Sequence, residues 1–321
     1  LHRLIRRQRQ MCIRDSIKDE NVIDIQQGVA IGIFIREHKK AEKQVYYSDI
    51  WGTRESKYQA LFNLDVPSTD WRELTPTAPY FFFVPKEFLL EEEYSKGWSL
   101  REIFLVSQNG LKTDRDELFF DFDAETLEER MRTFFSKGYG DDFKERYRVF
   151  PSSSFDIEAR RDQTAFNTNN IKRCLYRPFD ERYLYYDPKL TSRPAYKVMC
   201  HMLAGENLGL LTSRQVPKEF RHVFTSRFIC NFNAIDTAGR FGSGPFFPLY
   251  LYPDPSHLTE RTDWPAGKDG RRPNLNPEFV REMEGKLGLQ FVTDGCGDLK
   301  KTFGPEDVFH YIYAVLSLIH I

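Results

Sequence analysis

Apolar and polar residues alternate in short runs along most of this chain, and the run lengths predict both strands and helices. The first long apolar run, Gly28–Ile35, has the pattern of a strand that is buried on both faces. A polar turn follows it, and Val45–Tyr47 is predicted to form the second strand of a hairpin. Because so apolar a strand needs strands on both sides, we expect it to belong to a larger sheet whose other strands lie outside this sequence.

Helices are predicted where apolar residues recur with helical spacing or where a capping motif precedes them. Ser99 and Glu102 have the spacing of a capping box, so a helix should begin at Leu100. Leu127 and Met131 belong to the apolar face of an amphipathic helix that should stop at Gly138. Further helices are predicted over residues 157–173 and 194–205, from Pro277 to Gly288, and from Pro305 onwards.

Short strands separated by turns are predicted from residue 109 onwards, with more strand than helix in the second half of the sequence. Asn109-Gly110 is typical of a turn, and Glu117–Phe122 is predicted to be the strand that follows it. Six more strands are predicted at Arg173–Tyr176, Arg182–Tyr186, Leu208–Thr212, His222–Thr225, Phe228–Phe232 and Phe246–Tyr252. This mixture of elements predicts an α+β fold.

The net charge is close to zero, but the charges are segregated along the chain. The 321 residues include 46 Lys and Arg and 47 Asp and Glu. Residues 171–227 contain 11 basic and 5 acidic residues, whereas residues 87–145 contain 8 basic and 16 acidic residues. Such asymmetry is compatible with one basic face that meets a polyanion.

Other features of the composition limit the class of protein. Aromatic residues make up 15% of the sequence, which favours a folded chain. Apart from Cys12, the cysteines at positions 174, 200, 230 and 296 are far apart and lack CxxC spacing. They indicate reduced thiols in a cytoplasmic protein and no zinc site. No apolar run approaches the roughly 20 residues of a membrane span.

The segment Leu175–Leu203 interleaves cations with tyrosines. Its cations are Arg177, Arg182, Lys189, Arg193 and Lys197. This pattern suits a nucleic-acid surface, because guanidinium and ammonium groups neutralise phosphates while aromatic rings stack or pack. A tyrosine-rich edge strand followed by an ordinary amphipathic helix would produce the same pattern. The residues alone leave both interpretations open.

Both ends of the chain are predicted to be foreign to the natural protein. Met11–Ser16 and Leu316–Ile321 can be encoded by DNA strings that are reverse complements of each other. The string matches a transposon end used to prepare sequencing libraries. We therefore expect residues 1–16 and 316–321 to be adapter-derived, so the arginine-rich start is interpreted neither as a basic arm nor as a transit peptide. The natural segment, from about Ile17 to Val315, would be a fragment of a longer protein.

No catalytic or metal-binding arrangement can be identified from residue spacing. Gly239, Gly242 and Gly244 precede a strand and not a helix N-terminus, which argues against a phosphate-binding loop. The acidic residues between positions 114 and 123 are typical of a solvated face. We predict no catalytic residue, no metal ligand and no cofactor-binding residue in this chain.

Several strings, in one order, resemble type ISP restriction–modification enzymes. They cover Asp24–Ile31, Tyr47–Lys57, Ala78–Pro85, Asn109–Asp116, Leu175–Lys189, Ser192–Met202, Asn207–Gln215, Phe247–Pro253, Arg272–Phe279 and Pro305–Val315. Members of that family are long single chains with nuclease, helicase-like translocase, adenine methyltransferase and target-recognition parts. The resemblance implies a mixed-sheet target-recognition domain, preceded by the last strands of a Rossmann-like methyltransferase sheet.

The resemblance also implies a domain organisation. Between the adapter-derived ends, residues 17–65 would be the C-terminal end of the methyltransferase domain and residues 66–110 a connector. Residues 111–315 would be the DNA target-recognition, or specificity, domain. One departure lies in the Gly-x-x-Thr-Gly string of related domains, because Thr113 is followed here by Asp114. Backbone freedom at that turn is therefore in question.

The function implied is sequence-specific recognition of double-stranded DNA for adenine-N6 methylation and restriction by the parent enzyme. AdoMet, ATP and Mg²⁺ would serve that parent enzyme, whose methyltransferase and helicase domains would be partners in the same polypeptide. The Asn/Asp-Pro-Pro-Tyr/Phe motif that holds a flipped adenine does not occur in this sequence. The enzymatic steps are therefore expected to be performed by other parts of the polypeptide.

Candidate DNA contacts fall into two groups. Phosphate contacts are expected from the five cations of Leu175–Leu203. Base contacts are expected from Arg214 and Gln215, because Arg can pair bidentately with guanine and Gln with adenine. An alternative is a structural coupler that joins the methyltransferase to the translocase with little direct base contact. A third interpretation is an RNA-binding module.

Overall fold

The computed structural model describes residues 19–23, 30–36, 43–78, 81–85, 91–152, 155–213, 223–235, 244–253 and 264–318. The chain divides into two compact units, Leu1–Gly97 and Trp98–Ile321. The domain boundaries expected from the resemblance, at 65/66 and 110/111, stay predictions.

The first unit consists of short elements with little buried apolar surface. Strand β1 (Val45–Tyr47) pairs antiparallel with β2 (Arg72–Leu74), and helix α1 (Arg54–Asn63) lies between them in sequence. Thr53 caps α1, since its Oγ1 accepts a hydrogen bond from the Ser56 N–H at 3.3 Å. Helix α2 (Glu91–Tyr94) comes last. Among the described residues of this unit, no hydrophobic side chain is buried.

The predicted strand at Gly28–Ile35 is wrong over its described part. Residues 30–36 form no strand, and the side chains of Ile31 and Phe34 are 86% and 83% exposed. The predicted hairpin is also wrong, because β1 pairs with β2 instead. The described residues of this unit form no buried apolar surface against which this run could pack. Burial therefore cannot stabilise a strand there.

The second unit contains the remaining helices and strands. Its helices are α3 (Leu100–Ile103), α4 (Asp116–Phe119), α5 (Ala124–Ser136), α6 (Asp141–Tyr147), α7 (Ile157–Arg161), α8 (Tyr196–Leu203), α9 (Pro277–Leu287) and α10 (Pro305–Leu318). Its strands are β3 (Gln108–Asn109), β4 (Phe120–Asp121), β5 (Ile171–Arg177), β6 (Asp180–Tyr185), β7 (Gly209–Thr212), β8 (Val223–Ser226), β9 (Ile229–Cys230), β10 (Pro245–Pro248), β11 (Tyr250–Leu251), β12 (Arg272–Pro273), β13 (Gln290–Phe291) and β14 (Thr302–Phe303). The α+β prediction is confirmed.

The first of two four-stranded sheets has the order β4-β6-β5-β9. Its β5–β9 pair is parallel, whereas β5–β6 and β4–β6 are antiparallel, so the sheet is mixed as predicted. Helix α5 buries Leu127, Met131 and Phe134 in the core cluster that this sheet shares with α8. These side chains recur every three to four residues, which is why the apolar face of α5 was predictable.

The second four-stranded sheet has the order β3-β10-β7-β8 and separates two apolar clusters. On β7, Leu211 belongs to the first cluster and Leu210 to the second, and on β10 Phe246 and Phe247 divide in the same way. Successive side chains of a strand point to opposite faces, so these strands bury both faces. Helices α9 and α10 supply residues to the second cluster.

Several helices and strands were predicted correctly, the helices from their capping residues. The Ser99 N–H donates to Glu102 Oε2 at 2.8 Å at the start of α3. The Asn276 side chain caps α9, and Gly288 ends this helix with a φ of 66°. In the basic segment, β5 and β6 form an antiparallel pair at the positions predicted to be strands.

Four local predictions are wrong. In the strand predicted at Glu117–Phe122, residues 117–119 belong to helix α4 and only Phe120 and Asp121 form β4. The polar helix predicted over residues 157–173 ends with α7 at Arg161, because residues from Ile171 onwards pair with β6 and β9. Helix α8 begins at Tyr196 and not at Pro194, since Ala195 has a φ of 48°. Asn109-Gly110 forms no turn. Asn109 belongs to β3, where it pairs with Pro245 of β10.

No helix in the described parts of the chain is long and apolar enough to cross a membrane.

Candidate nucleic-acid interface

The connection between β3 and α4, residues 110–115, is held on both sides by backbone hydrogen bonds. On one side the Leu111 N–H donates to the Cys230 carbonyl at 2.9 Å, and the Phe232 N–H donates to the Leu111 carbonyl at 2.6 Å. On the other side Lys112 and Arg193 exchange two backbone hydrogen bonds, at 2.9 and 3.0 Å. The backbone of Arg193 is therefore fixed against this connection, although its side chain is exposed.

Two positions of this connection have special backbone requirements. A Cβ atom on Gly110 would lie 2.5 Å from the Asn231 carbonyl oxygen, so no side chain fits between the two backbones. Asp114 has a φ of 59°, in the left-handed region that glycine adopts most easily and that Asp tolerates better than most residues. The departure from Gly-x-x-Thr-Gly thus occurs at a position with a positive φ.

The Asp114 carboxylate is surrounded by hydrogen-bond donors. Lys112 Nζ lies 2.5 Å from its Oδ1, and the Ser192 hydroxyl donates to its Oδ2 at 2.6 Å. Partial burial works to raise the pKa of Asp114, but these hydrogen bonds and the charges of Lys112 and Arg193 hold the pKa below its ordinary value. Asp114 therefore stays ionised at neutral pH and offsets part of the local positive charge.

Arg115 is buried and joins this connection to the end of α6. Its Nε donates to the Arg148 carbonyl at 2.8 Å, and one of its terminal nitrogens donates to the Phe150 carbonyl at 2.5 Å. Burial lowers the pKa of the Arg115 guanidinium, although the charges of Asp114 and Asp156 act to raise it. Because both hydrogen bonds go to backbone carbonyls, Arg115 positions the chain that carries Arg148 and Phe150.

These elements enclose a cleft of about 550 Å³, here called the arginine cleft. Nine residues line it, among them Arg115, Arg148, Arg160, Arg193, Asp114 and Phe150. Four arginines and one aspartate are thus among the residues of its wall. The volume lies in the usual range of about 300–1,000 Å³ for small-ligand sites.

Arg160 connects the cleft to the predicted basic segment. Its guanidinium carbon lies 4.5 Å from the centre of the Phe155 ring, and one terminal nitrogen donates to the Lys189 carbonyl at 3.1 Å. Within the described parts of the chain, neither Arg160 nor Arg193 forms an ion pair. Both side chains are exposed, as is that of Lys189. Their charges are therefore available to a solvent-side anion.

Arg177 and Arg182, two of the predicted phosphate contacts, are half-buried around Tyr176. Their guanidinium carbons lie 3.9 and 4.1 Å from the Tyr176 ring centre. Arg177 donates to Asn231 Oδ1 at 3.1 Å. A hydrogen bond to Asp180, at 2.8 Å, raises the pKa of Arg182. These two arginines therefore stabilise the sheet, and their contact with phosphate stays a prediction.

The other predicted contacts divide into exposed residues and residues outside the described range. Lys189, Arg193 and Lys197 are exposed, with Lys197 on the first turn of α8. Arg214 and Gln215, the predicted base contacts, lie outside the described residues. Base reading by this pair stays a prediction.

Sequence reasoning missed three members of the cleft, Arg115, Arg148 and Arg160. Positions 146–170 fell between the two segments whose charges were compared, so Arg148 and Arg160 belonged to neither. Arg115 lay in the acidic segment, where a single basic residue carries no signal. The missing information was tertiary, because four arginines from separate segments converge here.

No cluster of three or more His, Cys, Asp or Glu side chains in the described ranges could hold a metal ion. Four of the nine residues that line the cleft are arginines, whose positive charges repel cations. Its chemistry fits an anion.

Comparisons with known proteins give the following matches. A family model described as the Type ISP C-terminal specificity domain matches residues 102–318. A cryoEM structure of a DrdV–DNA complex is similar with a TM-score of 0.55 and 17% sequence identity, over 86% of this chain and 27% of that chain. The ATP-dependent Type ISP restriction-modification enzyme LlaBIII bound to DNA is similar with a TM-score of 0.53 and 19% identity, over 86% of this chain and 18% of that chain.

This chain therefore corresponds to less than a third of either of these longer chains, 27% of the first and 18% of the second. At these identities the likeness concerns the fold. A comparison with curated proteins gave no match.

Proposed function

This chain belongs to the family of Type ISP C-terminal specificity domains, and from this premise we propose that it recognises double-stranded DNA on behalf of a longer parent enzyme. Two solved structures with a similar fold are described as DNA complexes, which supports the proposal. The family resemblance of the sequence supports it independently through the strings of the basic segment.

The observation that carries the proposal is the group of exposed cations at and beside the arginine cleft. Arg160, Arg193 and Lys189 are exposed and form no ion pair within the described ranges, and Lys197 is exposed close to Arg193 in sequence. Duplex DNA binds such a surface because each cation that neutralises a phosphate releases condensed counterions. A surface that served only to couple protein domains would be expected to carry fewer charged residues at its centre.

We propose further that DNA recognition by this chain directs adenine-N6 methylation and restriction by the parent polypeptide. AdoMet, ATP and Mg²⁺ would then bind the methyltransferase and translocase parts of the parent enzyme. In this chain, phosphate contacts position the duplex, and Arg214 and Gln215 read base edges. The absence of the Asn/Asp-Pro-Pro-Tyr/Phe motif from this sequence supports this division of roles.

The test of DNA binding is the salt dependence of duplex affinity. Fluorescence anisotropy with a labelled duplex, at several salt concentrations, should give a linear fall of the logarithm of affinity with the logarithm of salt. Lys189→Ala and Lys197→Ala should each weaken binding to all duplexes and make the slope shallower by roughly one unit. Lys286→Ala is the matched control, since Lys286 is exposed and pairs with Glu282 at 2.5 Å.

The test of base reading requires the parent enzyme and a set of site variants. Arg214→Ala and Gln215→Ala should each cost roughly 1–3 kcal/mol at one base pair and leave non-specific binding largely intact. An unchanged preference among sites would exclude this pair as the reader.

If the wild type showed no salt-dependent duplex affinity, the proposal would fail and the structural coupler would replace it. Tighter binding to duplex RNA than to duplex DNA would favour the RNA-binding interpretation.

A further inference from the structure

We propose that the arginine cleft seats one phosphodiester group of the DNA backbone, with the adjoining deoxyribose against the Phe150 ring. This inference rests on the proposed function and assigns a site to residues outside the predicted set. Phosphate would be bound by Arg148, Arg160 and Arg193, while Arg115 holds the wall in place.

The charge balance of the cleft favours a phosphodiester anion. Four arginines and one aspartate line it, which leaves an excess of positive charge for an anion to neutralise. Arg148 forms a long ion pair with Glu117, at 4.0 Å, and both side chains are largely exposed. Guanidinium groups bind phosphate oxygens in bidentate geometry, which distinguishes this site from a cluster of lysines.

The cleft is also organised before any ligand binds. Arg193 is fixed by two backbone hydrogen bonds to Lys112, and the chain at Arg148 is fixed by the Arg115 guanidinium. Arg160 is stacked on Phe155 at 4.5 Å. Binding would therefore require little ordering of the backbone at these positions, which lowers the entropic cost of binding.

The dimensions of the cleft fit more than an isolated phosphate. Its volume of about 550 Å³ leaves room beside the anion for a sugar ring. The Phe150 side chain is 48% exposed at the wall and gives that ring an apolar surface. Asp114 lies at the same wall with its carboxylate held by Lys112 and Ser192, so it opposes an incoming anion and sets the affinity.

The experiment measures duplex binding and phosphate binding on the same variants of the full chain. Arg160→Gln removes one charge, and Arg148→Asn removes another while tolerating the φ of 53° at that position. The matched control is Arg132→Gln. Arg132 is an exposed arginine stacked on Phe166 at 4.5 Å, like Arg160 on Phe155, but it pairs with Glu128 at 2.6 Å. Urea denaturation checks that each variant is folded.

We expect Arg160→Gln and Arg148→Asn each to make the salt slope of duplex binding shallower by roughly one unit, and Arg132→Gln to leave it unchanged. Asp114→Asn should tighten duplex binding, because it removes the opposing charge. Inorganic phosphate, exchanged for chloride at constant ionic strength, should displace the duplex from the wild type. The same exchange should have little effect on Arg160→Gln.

Three results would overturn the inference, and each has a different meaning. If Lys189→Ala and Lys197→Ala change the slope while both cleft variants do not, DNA is bound elsewhere and the proposed function stands. If the cleft variants lose phosphate binding but keep the duplex slope, the cleft binds a free anion. If the wild type binds no duplex, the proposed function fails and this inference fails with it.

Discussion

Asp114 shows how one residue can combine a backbone requirement with a charge in the candidate site. Its φ of 59° disfavours most side chains, and its carboxylate is held by Lys112 and Ser192. In the Gly-x-x-Thr-Gly string of the resemblance, glycine takes this position. Asp is among the residues that tolerate the left-handed region, so the turn can keep its shape while the charge is added.

A pair of substitutions at Asp114 should separate the backbone effect from the charge. Both Asp114→Gly and Asp114→Ala remove the carboxylate, but only Ala is strained at a positive φ. We expect Asp114→Ala to be less stable than Asp114→Gly by roughly 1–2 kcal/mol. Urea denaturation measures this difference. At Glu145, an exposed position within α6, the order should reverse, because Ala favours a helix over Gly by roughly 0.5–1 kcal/mol.

At the scale of elements, the β3–α4 connection depends on close approach to the chain that follows β9. A Cβ on Gly110 would contact three backbone atoms of Cys230 and Asn231, at 2.5 to 2.7 Å. We expect Gly110→Ala to destabilise the fold by roughly 1–3 kcal/mol, since backbone atoms cannot move aside as a side chain can. Thermal or urea unfolding would measure the change.

Gly285 provides the control for this substitution. It lies inside α9, and a Cβ there would meet no atom within 4 Å. Gly285→Ala should therefore stabilise the protein by roughly 0.5–1 kcal/mol. Equal effects at the two glycines would show that the close approach at Gly110 is not a constraint.

The loop before β14 supplies a pH-dependent contribution to stability. Asp298 Oδ1 accepts hydrogen bonds from the backbone N–H groups of Lys301, Thr302 and Lys300, at 2.7, 3.0 and 2.9 Å. These bonds lower the pKa of Asp298 to about 2, from about 3.9 in an unfolded chain. A lowered pKa in the folded state means that the stabilisation is present above pH 4 and is lost as the pH falls towards 2.

The substitution Asp298→Asn tests this contribution. The wild type should be more stable than the variant above about pH 4, and the difference should shrink as the pH falls through about 2. Urea denaturation at a series of pH values would follow it. A difference that stayed constant over this pH range would contradict the role of the ionised carboxylate.

At the scale of the whole molecule, the two units differ in their buried cores. The second unit contains two apolar clusters on either side of its second sheet. In the first unit, the described residues bury no hydrophobic side chain, and residues such as Phe62 and Val66 are 84% and 71% exposed. Burial of apolar area is the main favourable contribution to folding, so the units should behave differently when separated.

A chain of residues 98–318 should unfold cooperatively and show near-UV circular dichroism, because both of its clusters are internal. Residues 1–97 alone should give no cooperative transition and should bind a hydrophobic dye. Circular dichroism and dye fluorescence on the two separate chains would measure this. A cooperative transition of the shorter chain would show a core that the described residues do not reveal.

The sequence alone determined those features whose causes are local. Helix α5 follows from the spacing of its apolar residues, and α9 follows from Asn276-Pro277 at one end and Gly288 at the other. Strands β5 and β6 were predictable because tyrosines and other strand-favouring residues cluster in them. The family was also evident from the sequence, because many of its strings occur together in one order.

Only the tertiary structure decided features that depend on partners distant in sequence. Residues from Ile171 onwards form β5 and not a helix, because β6 and β9 take up their backbone hydrogen bonds. The arginine cleft arises in the same way. Arg115, Arg148, Arg160 and Arg193 come from four separate segments that the β3–α4 connection and the ends of α6 and α7 bring together. Local propensity amounts to a few tenths of a kcal/mol per residue, whereas pairing and packing contribute more and depend on residues far along the chain.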